Sequence, residues 1–370
     1  MRGRSPWLAP LGVAAALAVA TPLFAAPADD RLPTYTPETK VSGEIRDYGF
    51  GLGQRGLGSL LEQWEDAFEK LQPGVSFKDT LPTSDAAFPG LVTYQADLGF
   101  DGGEPAITEA LSFFETRGYP ASFVTIASGS FDVEGKSNGP VVFVSKDNPL
   151  TELSIDQLDG IFGSQRNGTL DGFVWTPIGA RGPEKDIRTW GQLGLKGDWA
   201  RKPIQTYGHG PGGTTRFFQL HVLGNTDKWN PNYRAYVETG SKQIAAIDKA
   251  KQTMGARHML GEELAHDKYG IAWSTMSQAK GIPGLKMIAL SPRGGGPAVA
   301  PSQANFQNRS YPLVRNIYVY FDRKPGTPID PKLREFLYFI LSEQGQLLVS
   351  KSGYLPLPAA MVAEERAKLN

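Results

Sequence analysis

The residue types best suited to chemistry cluster at 207–218, where Gly208, Gly210, Gly212 and Gly213 run into Thr214, Thr215 and Arg216, followed by Phe217 and Phe218. Glycine lets a backbone curl until several N–H groups face one small space. The apolar continuation through Phe217, Phe218, Leu220, Val222 and Leu223 predicts a helix starting here. A helix N-terminus adds unpaired N–H donors and a partial positive charge. With two hydroxyls and a guanidinium beside them, the chemistry these parts can do is capture of a compact anion. A turn that merely caps a helix uses the same residues, and the segment alone leaves both readings open.

Two further turns share this character. Residues 49–56 contain Gly49, Gly51, Gly53, Gln54, Arg55 and Gly56 just before Leu57, Leu60, Leu61, Trp64, Phe68 and Leu71, which fall at helical spacing. Residues 96–105 form a short apolar strand leading into Asp101, Gly102, Gly103 and Glu104. Asp101 either accepts a hydrogen from a protonated oxyanion or caps a helix opening near Pro105. These three turns hold Gln54, Arg55, Gly56, Asp101, Gly102, Gly212, Gly213, Thr214, Thr215 and Arg216, and that all of them line one ligand site is what the family resemblance given below implies. His209 reads as an exposed loop histidine, and Phe50, Tyr207 and Trp273 as packing residues with a possible place on the cleft floor. His221, His258 and His266 lack metal-ligand spacing, so neither a metal nor an organic cofactor is expected.

Lys plus Arg and Asp plus Glu both total 38, so the formal net charge is zero. A nucleic-acid binder would show a basic excess. Cysteine is absent, which removes disulfides, thiolate metal sites, a cysteine nucleophile and a lipid-anchoring cysteine. Residues 1–28 have the make-up of a cleaved export signal: Arg2 and Arg4, then an apolar run, then Ala26, Pro27 and Ala28. No second apolar stretch approaches the roughly 20 residues a membrane span needs. The expected product is an exported, soluble protein without membrane insertion.

The positioning elements read as alternating strands and helices, with largely parallel pairing expected. Residues 29–42 look like a flexible leader. Strands are expected at 43–50, 75–77, 121–127, 140–145, 270–274 and 317–321. Ser154 and Gln157 form a capping box for a helix burying Leu158, Ile161 and Phe162. Further helices are expected at 242–254 and, as one continuous element, at 331–349.

The order of these pieces resembles the phosphate-binding proteins of bacterial ABC importers, a branch of the type II periplasmic substrate-binding proteins. The residues that carry the likeness are Asn148, Pro149, Leu150 and the Ser154–Phe162 stretch; Trp190, Gly191, Gln192, Leu193 and Gly194; the loop at 207–218; Tyr311, Pro312 and Leu313 with the strand at 317–321; Ser342, Glu343, Gln344, Gly345 and Gln346; and Gly353, Tyr354, Leu355 and Pro356. Each motif is weak alone, and their collinear order spans about 43–357.

The resemblance implies an α/β fold of two lobes joined by two crossover strands that act as a hinge, with a ligand cleft between the lobes. Residues 43–135 and 309–370 would build lobe I, and 136–308 lobe II. It implies a non-enzymatic receptor for a small oxyanion, inorganic phosphate foremost, handing it to a membrane ABC importer permease. Two departures stand out. The usual arginine just upstream of the third loop is replaced by Gly208 or His209, and Arg55 and Gly56 stand where the family has two hydroxyls. Arg55 and Arg216 are expected to restore the charge. A divergent paralogue with another ligand or a protein partner is the alternative. An exported hydrolase fits less well, with no Gly-x-Ser-x-Gly or His-Glu-x-x-His motif present.

Overall fold

A computed structural model describes residues 31–51, 56–238 and 255–370. The export segment, Gln54, Arg55 and the helix expected at 242–254 lie outside the described residues. Among those described, no helix is long and apolar enough to cross a membrane.

The chain begins with β1 (Ser42–Gly49), α1 (Gly58–Leu71), β2 (Gly74–Thr80), α2 (Ala87–Val92), β3 (Leu98–Asp101), α3 (Ile107–Arg117) and β4 (Ser122–Ser128). It continues with β5 (Pro140–Ser145), β6 (Glu152–Ser154), α4 (Ile155–Phe162), β7 (Thr169–Asp171), β8 (Val174–Thr176), β9 (Gln205–His209) and α5 (Gly213–His221). The remaining strands are β10 (Arg234–Tyr236), β11 (Gly270–Thr275), β12 (Leu285–Met287), β13 (Ala289–Ser291) and β14 (Asn316–Phe321).

Two five-stranded sheets result, ordered β2-β1-β3-β14-β4 and β10-β9-β11-β5-β12. Each has its own core and defines one lobe. Trp64, Phe68, Phe336 and Phe339 pack beneath the first sheet, and Phe162, Trp190, Phe218 and Trp273 within the second lobe. Pairing is mixed rather than largely parallel. β14 runs antiparallel to β3 and β4, and β5 antiparallel to β11 and β12. The exceptions centre on β5 and β14, the strands by which the chain enters the second sheet and returns to the first. The crossovers lie side by side, with the Gly129 N–H donating to the Arg315 carbonyl at 2.8 Å. A Cβ on Gly139 would stand 2.5 Å from the Leu313 carbonyl oxygen, so only glycine permits this approach.

Local expectations hold where a side chain states them. Ser154 caps α4 by accepting from the Gln157 N–H at 3.1 Å, and Gln157 accepts from the Ser154 N–H at 2.8 Å. The helix expected at 331–349 is two, Pro331–Ile340 and Glu343–Lys351. Ser342 begins the second by accepting from the Gly345 N–H at 3.2 Å. The described part of the leader also differs from expectation. Tyr35 is buried against the first core, and its hydroxyl donates to Glu335 at 2.7 Å.

Candidate functional site

The C-terminal ends of strands from both sheets face one another across the crossovers, which is where open α/β sheets place ligands. β3 ends on Asp101, and the segment after β9 leads into α5. Phe217 and Phe218 are buried, and Phe218 stacks on Trp273 with ring centroids 4.6 Å apart. That packing fixes α5 so that its N-terminus points into the interlobe space. The cavity there measures about 520 Å³.

Asp101, Gly102, Gly212, Gly213, Thr214 and Arg216 all line this cavity, so the structure brings together six of the residues singled out from sequence. Thr215 is placed differently: its hydroxyl turns back to donate to the Gly210 carbonyl, and it is not part of the lining. Gly56 also stands outside the lining. Its N–H donates to the Gly135 carbonyl at 2.9 Å, and its carbonyl accepts from Lys136 Nζ at 2.8 Å.

Asp101 does not cap α3. That helix starts at Ile107, and the Glu109 carboxylate caps it by accepting from the Ala106 N–H. Asp101 is 6 % exposed and accepts from the Gly103 N–H at 3.1 Å. Burial pushes its carboxyl pKa up to about 7; the Ser84 hydroxyl opposes the shift, Glu109 adds to it, and Arg315 and Arg216 oppose it.

Arg315 is the residue sequence reasoning missed. It lies on the returning crossover, is 7 % exposed, and its Nη1 donates to the Thr214 hydroxyl at 3.2 Å. Its Nε is buried without an acceptor among the described residues. A Cβ on Gly103 would stand 2.8 Å from Arg315 Nη2, and one on Gly213 3.2 Å away. Glycines from the two lobes thus flank one guanidinium. A guanidinium thus reaches the glycine–threonine loop from the crossover rather than from just upstream of the loop. Its only sequence signal was position, two residues past the Tyr311-Pro312-Leu313 motif.

Other groups complete the surroundings. The Thr214 hydroxyl donates to Glu238 at 2.9 Å. Arg216 bridges the lobes to Glu109 at 3.3 Å, and His221 reaches Glu104 at 3.2 Å. Burial works against ionised Glu104, but the His221 contact, a backbone hydrogen bond and the Arg315 charge together hold that carboxyl below its usual range. Asp85, Asp101, Glu104, Glu109, Glu134 and Glu238 line the cavity against Lys136, Arg216 and Arg315. Phe50 is on the lining, whereas Tyr207 and Trp273 belong to the second core. His209 is fully buried rather than exposed. It contacts the Ser274 hydroxyl at 2.8 Å and stacks on Trp273, and burial lowers its pKa.

Such an arrangement can hold a compact oxyanion. A buried guanidinium with an unused donor and a helix N-terminus supply positive character, and a buried carboxylate can accept a hydrogen from the guest.

Comparison with known proteins agrees with this architecture. The family described as "PBP superfamily domain" matches residues 38–344. The phosphate-binding protein PstS of Pseudomonas aeruginosa is 32% identical over 358 residues, covering 96% of this chain and 94% of the relative. PstS of Staphylococcus saprophyticus is 20% identical over 90% of this chain and 86% of its own length. The crystal structure of PstS from Borrelia burgdorferi superposes with a TM-score of 0.53 at 13% identity, over 85% of this chain and 99% of that one, a likeness of fold. A match this long, together with a PstS relative aligned almost end to end, establishes that the chain belongs to the PBP superfamily, in its PstS-like branch.

Proposed function

We propose that this protein is a periplasmic receptor that captures inorganic phosphate between its lobes and hands it, chemically unchanged, to a membrane ABC importer permease. Lobe I would comprise 43–135 and 309–370, lobe II 136–308. The observation that carries the reading is the meeting of Arg315, the α5 N-terminus and buried Asp101 in one interlobe cavity. The PstS relatives and the collinear motifs support the transport role.

Asp101 argues for phosphate over other tetrahedral anions. An ionised carboxylate in a buried site repels a bare oxyanion but accepts a hydrogen bond from a protonated one. Phosphate carries a proton at neutral pH; sulfate does not. A site built around a ligand hydroxyl rejects analogues lacking it far more strongly than an apolar pocket rejects a missing methylene. Arg315 and the helix N-terminus then neutralise the remaining charge, and closure replaces the anion's water with fixed donors.

The test is calorimetric titration, at pH 8, of protein unfolded, dialysed and refolded to strip any retained anion. Phosphate should bind at least ~100-fold more tightly than sulfate or molybdate. Equal affinity for sulfate, or no heat with any oxyanion, would overturn the reading.

A further inference from the structure

On the first sheet, away from the anion cleft, three carboxylates converge, and the charged groups acting on them among the described residues are acidic. Asp47 on β1 and Asp79 on β2 are register partners across parallel strands, and Glu65 on α1 lies over the same face. One oxygen from each lies within 4.8 Å of the others. Asp47 is fully buried, and among the described residues its carboxylate oxygens meet no donor other than the facing Glu65 carboxyl. Glu65 is 9 % exposed, and its Oε1 is also buried and unpartnered. The charged neighbours acting on the three include Glu62, Glu69 and Asp97, all acidic. A buried carboxylate without donors is costly unless something positive completes it.

We propose that Asp47, Glu65 and Asp79 bind a hard divalent cation, with Ca²⁺, which accepts an irregular oxygen shell, as the leading ion. An all-carboxylate donor set selects a hard cation over softer metals. Two oxygens on opposite sides of a Ca²⁺ ion stand about 4.6–5.2 Å apart, twice its bond length, whereas Mg²⁺ demands a tighter and more regular shell. The oxygens here lie within 4.8 Å of one another, inside that span, and the choice of Ca²⁺ rests on its tolerance of an irregular shell. Asp79 is exposed on β2, the edge strand, so the ion has a route in and water can fill its remaining positions. The ion would fasten α1 to β1 and β2. Nothing in this proposal depends on the identity of the ligand in the cleft.

The test uses full-length exported protein, dialysed against chelator in phosphate-free buffer and then against Ca²⁺ or Mg²⁺ with elemental analysis. One Ca²⁺ per chain should be retained, and 10 mM Ca²⁺ should raise the melting temperature by roughly 3–8 °C. Glu65→Gln and Asp79→Asn should each lose the bound ion and the shift while retaining native circular dichroism and anion binding. Asp79→Asn is the safer variant because its side chain is exposed. Absence of stoichiometric binding at 10 mM of either ion, or binding unchanged in both variants, overturns the proposal. A melting temperature raised by Glu65→Gln with no ion bound to wild type would also overturn it, marking the triad as carboxyl groups held by shared protons.

Discussion

At Arg315 a single guanidinium touches both halves of the binding surface, and its replacement should show what it contributes. Arg315→Met keeps the length and removes the donors. Charge-assisted hydrogen bonds contribute about 1.5–3 kcal/mol each, so phosphate affinity should fall roughly 10- to 150-fold by calorimetry, with Arg315→Lys recovering only part. An unchanged affinity would remove Arg315 from the site. Asp101 gives a prediction with a sign in pH. Its folded pKa is pushed up to about 7 from an ordinary 3.8, so the folded chain holds the extra proton between those values. Its stabilising contribution is therefore complete below about pH 4 and is lost as pH rises through 7. Asp101→Asn should flatten that dependence and stabilise the empty protein at pH 8, by up to about 4 kcal/mol in denaturant melts. The same variant should lose discrimination against sulfate, as should wild type near pH 5, where a protonated Asp101 can donate to any oxyanion. Sequence showed the glycines, Asp101 and Thr214 because they sit in recognisable turns. It could not show Arg315, since an arginine on a crossover has no local signature. Nor could it separate Thr214 from Thr215, whose hydroxyls differ only in which way the first helical turn faces.

Elements were legible to the degree that their boundaries are written locally. The capping box at Ser154 named the start of α4, and the apolar spacing from Leu57 to Leu71 named α1. The break at 341–342 was not visible, because apolar periodicity resumes across it and only Ser342 turning onto Gly345 separates the two helices. Strand direction was hidden for another reason: it depends on which sheet a strand joins. β1 illustrates how tightly the elements meet at the cleft. Gly49 has φ +127°, and a Cβ there would stand 2.0 Å from the Phe100 carbonyl oxygen on β3. Gly49→Ala should destabilise by at least ~3 kcal/mol, through strained backbone and a clash that only strand displacement relieves. Thermal melting near the wild-type temperature would show that β1 and β3 separate more easily than their register implies.

For the whole molecule, two lobes with separate cores meet across a cavity bridged by Arg216–Glu109 and His221–Glu104. Partly exposed pairs of this kind contribute only about 0–1 kcal/mol, so they bias closure without locking it. A two-lobe α/β fold was legible from collinear motifs; the cavity's contents were not, because they depend on residues far apart in sequence. That lining sets six carboxylate side chains against three cations among the described residues. Among the described residues the lining therefore offers an approaching dianion no long-range funnel of favourable potential, and recognition is left to contacts within the cavity. Stopped-flow encounter rates should stay level or climb as ionic strength is raised, the reverse of what a positively charged mouth produces. A binding protein of this kind gives up speed at low salt and recovers it as salt screens the carboxylates at the cavity mouth.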